Sequence, residues 1–268
     1  MLALMISASN AGAAEISLPA DGATPPGFAD FDQAVRLYTA GHYAEARDLL
    51  ARIYSVKLTA GQNQLVRFLS GVTAFKLGRF DEVEKFLSGQ GRVPPSLKDH
   101  SLYLQGQACF LAGQYSKARD LLGEFARRFP DSLQVNQVHL TRAEALFHLG
   151  RPLKALEECR VLAKKDRDGR VRLAMARIYE SLGRLAEARS NYYLAMENSN
   201  TGAVRSEAAK RYKELLAPAL DQPGREEEKR AMVRVLRREW RLDETLDLID
   251  RLRSEGGKAD FLGKLNSE

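Results

Sequence analysis

The chain has 268 residues, 44% hydrophobic and 28% charged, with a mean hydropathy of −0.35, a composition that folds and is not that of a disordered chain. No apolar run approaches the roughly 18 residues that span a bilayer. The 41 basic and 35 acidic residues leave a net charge of +6, a mild excess that fits an anionic partner without pointing to nucleic acid.

The first segment, MLALMISASNAGAAE, reads as the end of a secretory leader. Met1 to Ile6 is apolar, and Ala11-Gly12-Ala13 satisfies the small-x-small cleavage rule. Residues 1–14 are therefore expected to be a truncated signal peptide and the mature chain to be periplasmic; the alternative is a disordered cytoplasmic N-terminus. Residues 15–27, EISLPADGATPPG, are rich in proline, glycine and small residues and read as a flexible lead-in.

From residue 28 the sequence repeats. LYTAGHYAEARDLL, AFKLGRFDEVEKFL, CFLAGQYSKARDLL, LFHLGRPLKALEEC and YESLGRLAEARSNY share one outline, with turn glycines at Gly41, Gly78, Gly113, Gly150 and Gly183, spaced 37, 35, 37 and 33 residues apart. A glycine is the residue for which the left-handed conformation that ends a helix costs least. Two residues later Tyr43, Phe80, Tyr115 and Leu185 can cover the turn, with Pro152 in that slot of the fourth copy, where its fixed φ suits a helix start. Small residues recur five after the glycine (Ala46, Val83, Ala118, Ala155, Ala188) and seven before it (Ala34, Gly71, Gly106, Ala143, Ala176), as two closely packed helices require. Phe129-Pro130-Asp131-Ser132 stops one helix and offers a cap for the next. The pattern predicts an all-α solenoid of antiparallel helical hairpins. In period and small-residue positions, residues 28–200 resemble the tetratricopeptide repeat of about 34 residues, which implies five repeats wound as a right-handed superhelix; another helical-hairpin solenoid is the alternative.

Beyond the fifth copy, AVRSEAAKRYKELLAPAL predicts an extra amphipathic helix ending near Pro218. LRREWRLDETLDLI then reads as a degenerate sixth copy with Trp240 in the glycine slot, so residues 201–253 are an extra helix plus hairpin and 254–268 a flexible tail. The order of lead-in, hairpins, proline linker and RLDETLDLIDRL hairpin resembles the N-terminal superhelical region of bacterial soluble lytic transglycosylases. That resemblance implies a platform for a catalytic domain whose glutamate lies in a Glu-Ser pair. Here the Glu-Ser pair is Glu180-Ser181, inside YESLGR, where repeat chemistry explains it. No catalytic constellation is present, and the chain itself is expected not to be an enzyme.

Candidate binding residues come from the first helix of each hairpin. Three residues before each turn glycine stand Tyr38, Phe75, Phe110, Phe147 and Glu180; ten before stand Phe31, Phe68, Tyr103, Leu140 and Leu173. The rows are seven apart and share a face. They form either an aromatic ladder for an extended peptide or sugar rings, or packing against neighbouring helices. Six before the glycine stand Val35, Val72, Gln107, Glu144 and Arg177, so Glu144 and Arg177 add polarity toward the C-terminal half. The Lys/Asn set by which some tetratricopeptide domains clasp chaperone carboxylates is absent. The basic clusters at 164–172 and 234–241 read as solvated faces with internal ion pairs, or as sites for an anionic glycan or partner protein. Cys109 and Cys159 sit among apolar neighbours, as two buried thiols or a disulfide between hairpins. No histidine or cysteine spacing fits a metal, and no cofactor is expected.

The function expected is a non-catalytic interaction scaffold of the periplasm, linked to peptidoglycan processing and binding proteins, peptides or peptidoglycan itself. The alternatives are the platform of a lytic transglycosylase and an adaptor for outer-membrane or division machinery.

Overall fold

In a computed structural model the described residues are 4–8, 11–16, 30–55, 57–89, 91–163, 169–220, 232–234, 237 and 249–250. The expected lead-in, except for its first two residues, and the whole of the expected tail lie outside these, as does most of the sixth hairpin. Strands β1 (Leu4–Ala8) and β2 (Ala11–Ile16) pair antiparallel, Leu4 opposite Ile16 and Ala8 opposite Ala11. All other described elements are helical. The chain divides into two compact units, Met1–Glu158 and Cys159–Glu268.

The first unit begins its helical part with the hairpin of α1 (Asp30–Thr39) and α2 (Tyr43–Ile53). Next come α3 (Ala60–Lys76) with α4 (Phe80–Leu87), and α5 (Lys98–Leu111) with α6 (Tyr115–Arg128). Helix α7 (Val135–His148) leads into α8 (Pro152–Ala163), within which the first unit ends. The second unit holds α9 (Arg170–Ser181), α10 (Leu185–Asn198) and α11 (Gly202–Leu220). Helix α11 ends at Leu220, two residues past Pro218 and close to where its sequence suggested.

Each turn is closed by the same backbone bonds. The turn glycine lies at positive φ, from 69 to 85°, and its N–H donates three residues back, as Gly113 does to Phe110 at 3.0 Å. The next N–H reaches five back, Gln114 to Cys109 at 2.8 Å. These two bonds occupy carbonyls that the helix end would otherwise leave unpaired. Helix α3 is closed at its start by a capping box, with Gln62 N–H on Thr59 Oγ1 at 3.3 Å and Thr59 N–H on Gln62 Oε1 at 3.0 Å.

The small residues expected at the helix crossings are buried. Ala34, Ala46, Val83, Ala118, Ala143, Ala155, Ala176 and Ala188 have no exposed surface. At Gly71 a Cβ would come within 2.5 Å of Leu87, and at Gly106 within 2.5 Å of Leu122, so in these two hairpins the missing methyl makes room for a leucine. Cys109 and Cys159 are buried thiols and form no disulfide; burial pushes the Cys109 thiol up from its ordinary range.

Candidate binding face of the first helices

Along each first helix the residues ten, six and three before the glycine make one stripe, and its exposure changes from helix to helix. On α1, Phe31, Val35 and Tyr38 are all core, at most 4% exposed. On α3, Phe68 and Val72 are buried and Phe75 is half-buried. On α5, Tyr103, Gln107 and Phe110 are all half-buried. On α7, Leu140 is buried while Glu144 and Phe147 are half-buried. The stripe reaches the surface at α5 and α7, and there Tyr103, Gln107, Phe110, Glu144 and Phe147 are available together. Phe31, Tyr38 and Phe68 instead hold neighbouring helices.

The rings three before the glycine pack on the residue that covers their own turn. Tyr38 meets Tyr43 at 5.3 Å between centroids, Phe75 meets Phe80 at 5.9 Å and Phe110 meets Tyr115 at 5.6 Å. This offset and edge-on packing is the arrangement aromatic quadrupoles favour. His148, exposed at the end of α7, stacks flat on Tyr115 at 4.3 Å and lies 6.0 Å from both Phe110 and Phe147. The half-buried rings of α5 and α7 thus form one patch with an imidazole at its edge.

Polar groups cross the same face. Gln107 Nε2 on α5 donates to Thr141 Oγ1 on α7 at 2.8 Å, and Gln137 Nε2 reaches the same oxygen at 3.4 Å. On α3, Arg67 Nε donates to Asn63 Oδ1 at 3.1 Å and lays its guanidinium over Tyr54 at 5.2 Å. Gln137, Thr141 and His148 were not singled out from sequence; the 34-residue step from Gln107 is a signal for Thr141 alone.

Below the face is a titratable group without full satisfaction. His100 is 3% exposed, lies 5.8 Å from Phe68 and 6.1 Å from Tyr103, and its Nδ1 has no hydrogen-bond partner. Burial lowers its pKa, against the weaker pull of Asp99. The unfolded chain therefore takes up a proton near pH 6.5 that the folded chain refuses. The stabilisation is complete above that pH and is lost as pH falls toward the lower folded value, at up to about 1.4 kcal/mol per pH unit. Denaturation of wild type and His100→Phe between pH 7.5 and 5 checks this: the wild type should lose stability more steeply. Glu158 titrates lower. Burial alone would raise it, but His139 Nδ1 at 2.6 Å and Arg142 outweigh that and hold its carboxyl below its ordinary range.

In the second unit, Arg177 is exposed on α9 and pairs with Glu207 of α11, its Nε at 3.0 Å. Glu180 is occupied on both oxygens, accepting from Tyr192 Oη at 2.7 Å and pairing with Arg211. Burial and this bond push the Tyr192 hydroxyl well above its ordinary range. Glu180 thus ties α9 to α10 and α11, which accounts for it structurally. Of the basic clusters, Arg172 donates to Asn191 at 3.3 Å, while residues 164–168 and most of 234–241 lie outside the described residues. Among the described residues no cluster of three or more His, Cys, Asp or Glu is placed to hold a metal, and no helix is long and apolar enough to cross a membrane.

Comparison with known proteins agrees with this geometry. A tetratricopeptide-repeat family model matches residues 103–170, and a second one matches 27–52 and 169–190. The chain is similar to MamA of AMB-1, at 25% identity over 62% of this chain and 95% of that one, with a TM-score of 0.50. It is similar in fold to the C-terminal part of a TPR repeat-containing protein of Cytophaga hutchinsonii, at 16% identity over 77% and 79% of the two chains, TM-score 0.59. Human IFIT1 matches at 16% identity over 87% of this chain and 56% of that one, TM-score 0.62. No curated protein matches the sequence.

Proposed function

We propose that this chain, which carries tetratricopeptide repeats, is a non-catalytic scaffold of the periplasm that binds an extended segment of a protein partner beside the peptidoglycan-processing machinery. The observation that carries the binding part is the half-buried patch of Tyr103, Gln107, Phe110, Glu144 and Phe147, where rings and hydrogen-bonding side chains share one face of α5 and α7. Rings alternating with amide and carboxylate groups suit a peptide, whose backbone needs polar partners and whose side chains need apolar ones. The address rests on the leader-like start and its Ala11-Gly12-Ala13 motif. The peptidoglycan link rests on the order of elements shared with the transglycosylase platform.

A photo-crosslinking residue at Phe147 should capture a defined partner from envelope extracts, and one at Lys154, exposed on α8, should not. Gln107→Ala with Glu144→Ala should abolish that capture while the chain still unfolds in one cooperative transition, destabilised by no more than about 1–3 kcal/mol for the bonds lost. Equal capture from both positions would overturn the face. An alkaline phosphatase fused after residue 16 and expressed behind the gene's own upstream region should be active in a Gram-negative host; an inactive fusion there would overturn the address. Co-sedimentation with purified sacculi that exceeds binding to protein partners would favour direct glycan binding instead.

A further inference from the structure

The acidic and basic residues of the first two hairpins are unevenly placed. No acidic residue stands between Asp48 and Asp81, and none between Glu84 and Asp99. Lys57, Arg67, Lys85 and Arg92 fall in these two stretches, and the fold gathers the last three around a pair of rings. Tyr54, the C-cap of α2, and Phe86, in the last turn of α4, meet edge to face at 6.1 Å between centroids. The Arg67 guanidinium lies over Tyr54 at 5.2 Å, and Lys85 Nζ lies over Phe86 at 5.9 Å. Arg92 donates to the Lys85 carbonyl at 3.2 Å, and Gln64 of α3 donates to the Gly91 carbonyl at 2.8 Å. Those two bonds hold Arg92 beside α3 and the end of α4.

These cations have no counter-charges. Lys57, Lys85 and Arg92 are exposed and Arg67 is half-buried, and among the described residues none of the four is in an ion pair. Of the carboxylates that bound the two stretches, Asp48 holds Arg47 and Glu84 holds Lys117, both at 2.6 Å. Asp99 accepts from the His100 N–H at 2.7 Å and the Ser132 hydroxyl at 3.1 Å, and Asp81 stands at the other end of α4. The helix dipole accounts for Lys85, in the last turn of α4. It does not account for Lys57, which is in no helix, or for Arg67, at the middle of α3. Tyr54, Leu58 and Phe86 are half-buried, each seated on the core beneath. Burial raises the Tyr54 hydroxyl, and Arg67 and Arg92 act against that, which places both guanidiniums within electrostatic reach of it.

We propose that this edge docks the chain on an anionic phospholipid bilayer, with Lys57, Arg67, Lys85 and Arg92 at the lipid phosphates and Tyr54 and Phe86 at headgroup depth. Basic side chains interleaved with aromatic rings suit that interface, where cations meet phosphate and rings sit between water and hydrocarbon. Such docking needs no spanning segment, and no described helix could provide one. A nucleic-acid strand fits less well. Each ring already carries a cation on one face and meets the other ring edge-on, so a stacked base competes with both. None of these residues belongs to the Gln107–Glu144 face, so the two sites stand or fall independently.

The test sediments the full chain with vesicles of phosphatidylcholine, alone or with about one-third phosphatidylglycerol. The chain should bind only the mixed vesicles, and less as salt rises, because exposed charges are screened. Lys85→Gln with Arg92→Gln should weaken binding about 20- to 30-fold, at about fivefold for each cation near the surface. Both side chains are exposed, so this variant should keep the wild-type circular dichroism and cooperative melting. Arg151→Gln with Lys154→Gln removes the same charge from exposed positions at the start of α8 and should bind like wild type. Phe86→Trp should give a blue shift of emission on the mixed vesicles larger than that of wild type, whose single tryptophan is Trp240. Equal binding to the two vesicles overturns the proposal, as does an equal loss in the two double variants, which would make net charge alone responsible. Tighter binding to oligo-deoxythymidine than to the mixed vesicles also overturns it, in favour of nucleic acid.

Discussion

Gly169→Ala is expected to destabilise the second unit by on the order of 3 kcal/mol or more. Gly169 sits immediately before α9 at φ +74°, where its carbonyl accepts the Leu173 N–H at 2.9 Å. A Cβ there would meet the Ala195 carbonyl oxygen at 2.5 Å, its carbon at 3.2 Å and Ser199 Cβ at 3.2 Å. The left-handed conformation alone costs an L-residue about 1–2 kcal/mol. The clash adds to that because it is with backbone of α10, which cannot rotate aside as a side-chain tip would. The comparison is Gly113→Ala, which has a similar φ of +75° and nothing within 4 Å of the added methyl, so only the conformational cost applies. Urea denaturation of both variants measures the difference. Equal losses would mean that α10 yields freely at Ala195 and that the contact is not restrictive.

The second large effect is a coupling between Gly106 and Leu122. Leu122 is fully buried, and a Cβ on Gly106 would lie 2.5 Å from its Cδ2 and 2.7 Å from its Cγ. Leu122→Ala should cost about 2–5 kcal/mol through lost burial and the cavity left behind. Gly106→Ala should cost about 1–3 kcal/mol by overpacking, reduced by up to about 1 kcal/mol because alanine favours the helix. In the double variant the new methyl enters the space the leucine vacated. It should therefore be more stable than Leu122→Ala alone, with a coupling of about 1–2 kcal/mol. Strict additivity would show that the two positions do not press on each other.

Much of the fold was legible from spacing. The turn glycines fall where predicted, at positive φ and with the same pair of closing bonds, because a left-handed helix end is a local requirement that selects glycine wherever it occurs. The small residues on either side of each turn are buried as expected, since a helix hairpin brings those positions together by its own geometry. Less of the candidate site was legible. Phe31, Phe68 and Tyr103 occupy equivalent register positions, yet the first two are core and the third is half-buried. Register assigns a residue to a face of its helix; how far that face is covered depends on helices distant in sequence.

Sequence alone determined the number and phase of the regular hairpins, the glycine turns and the close crossings, because each depends on residues within one hairpin. Tertiary structure decided the rest: which rings pack and which stay accessible, that Gly169 lies against the Ala195 carbonyl, and that His100 is enclosed between Phe68 and Tyr103. Those outcomes depend on what a neighbouring helix places opposite each residue, and no periodicity within a single segment carries that information.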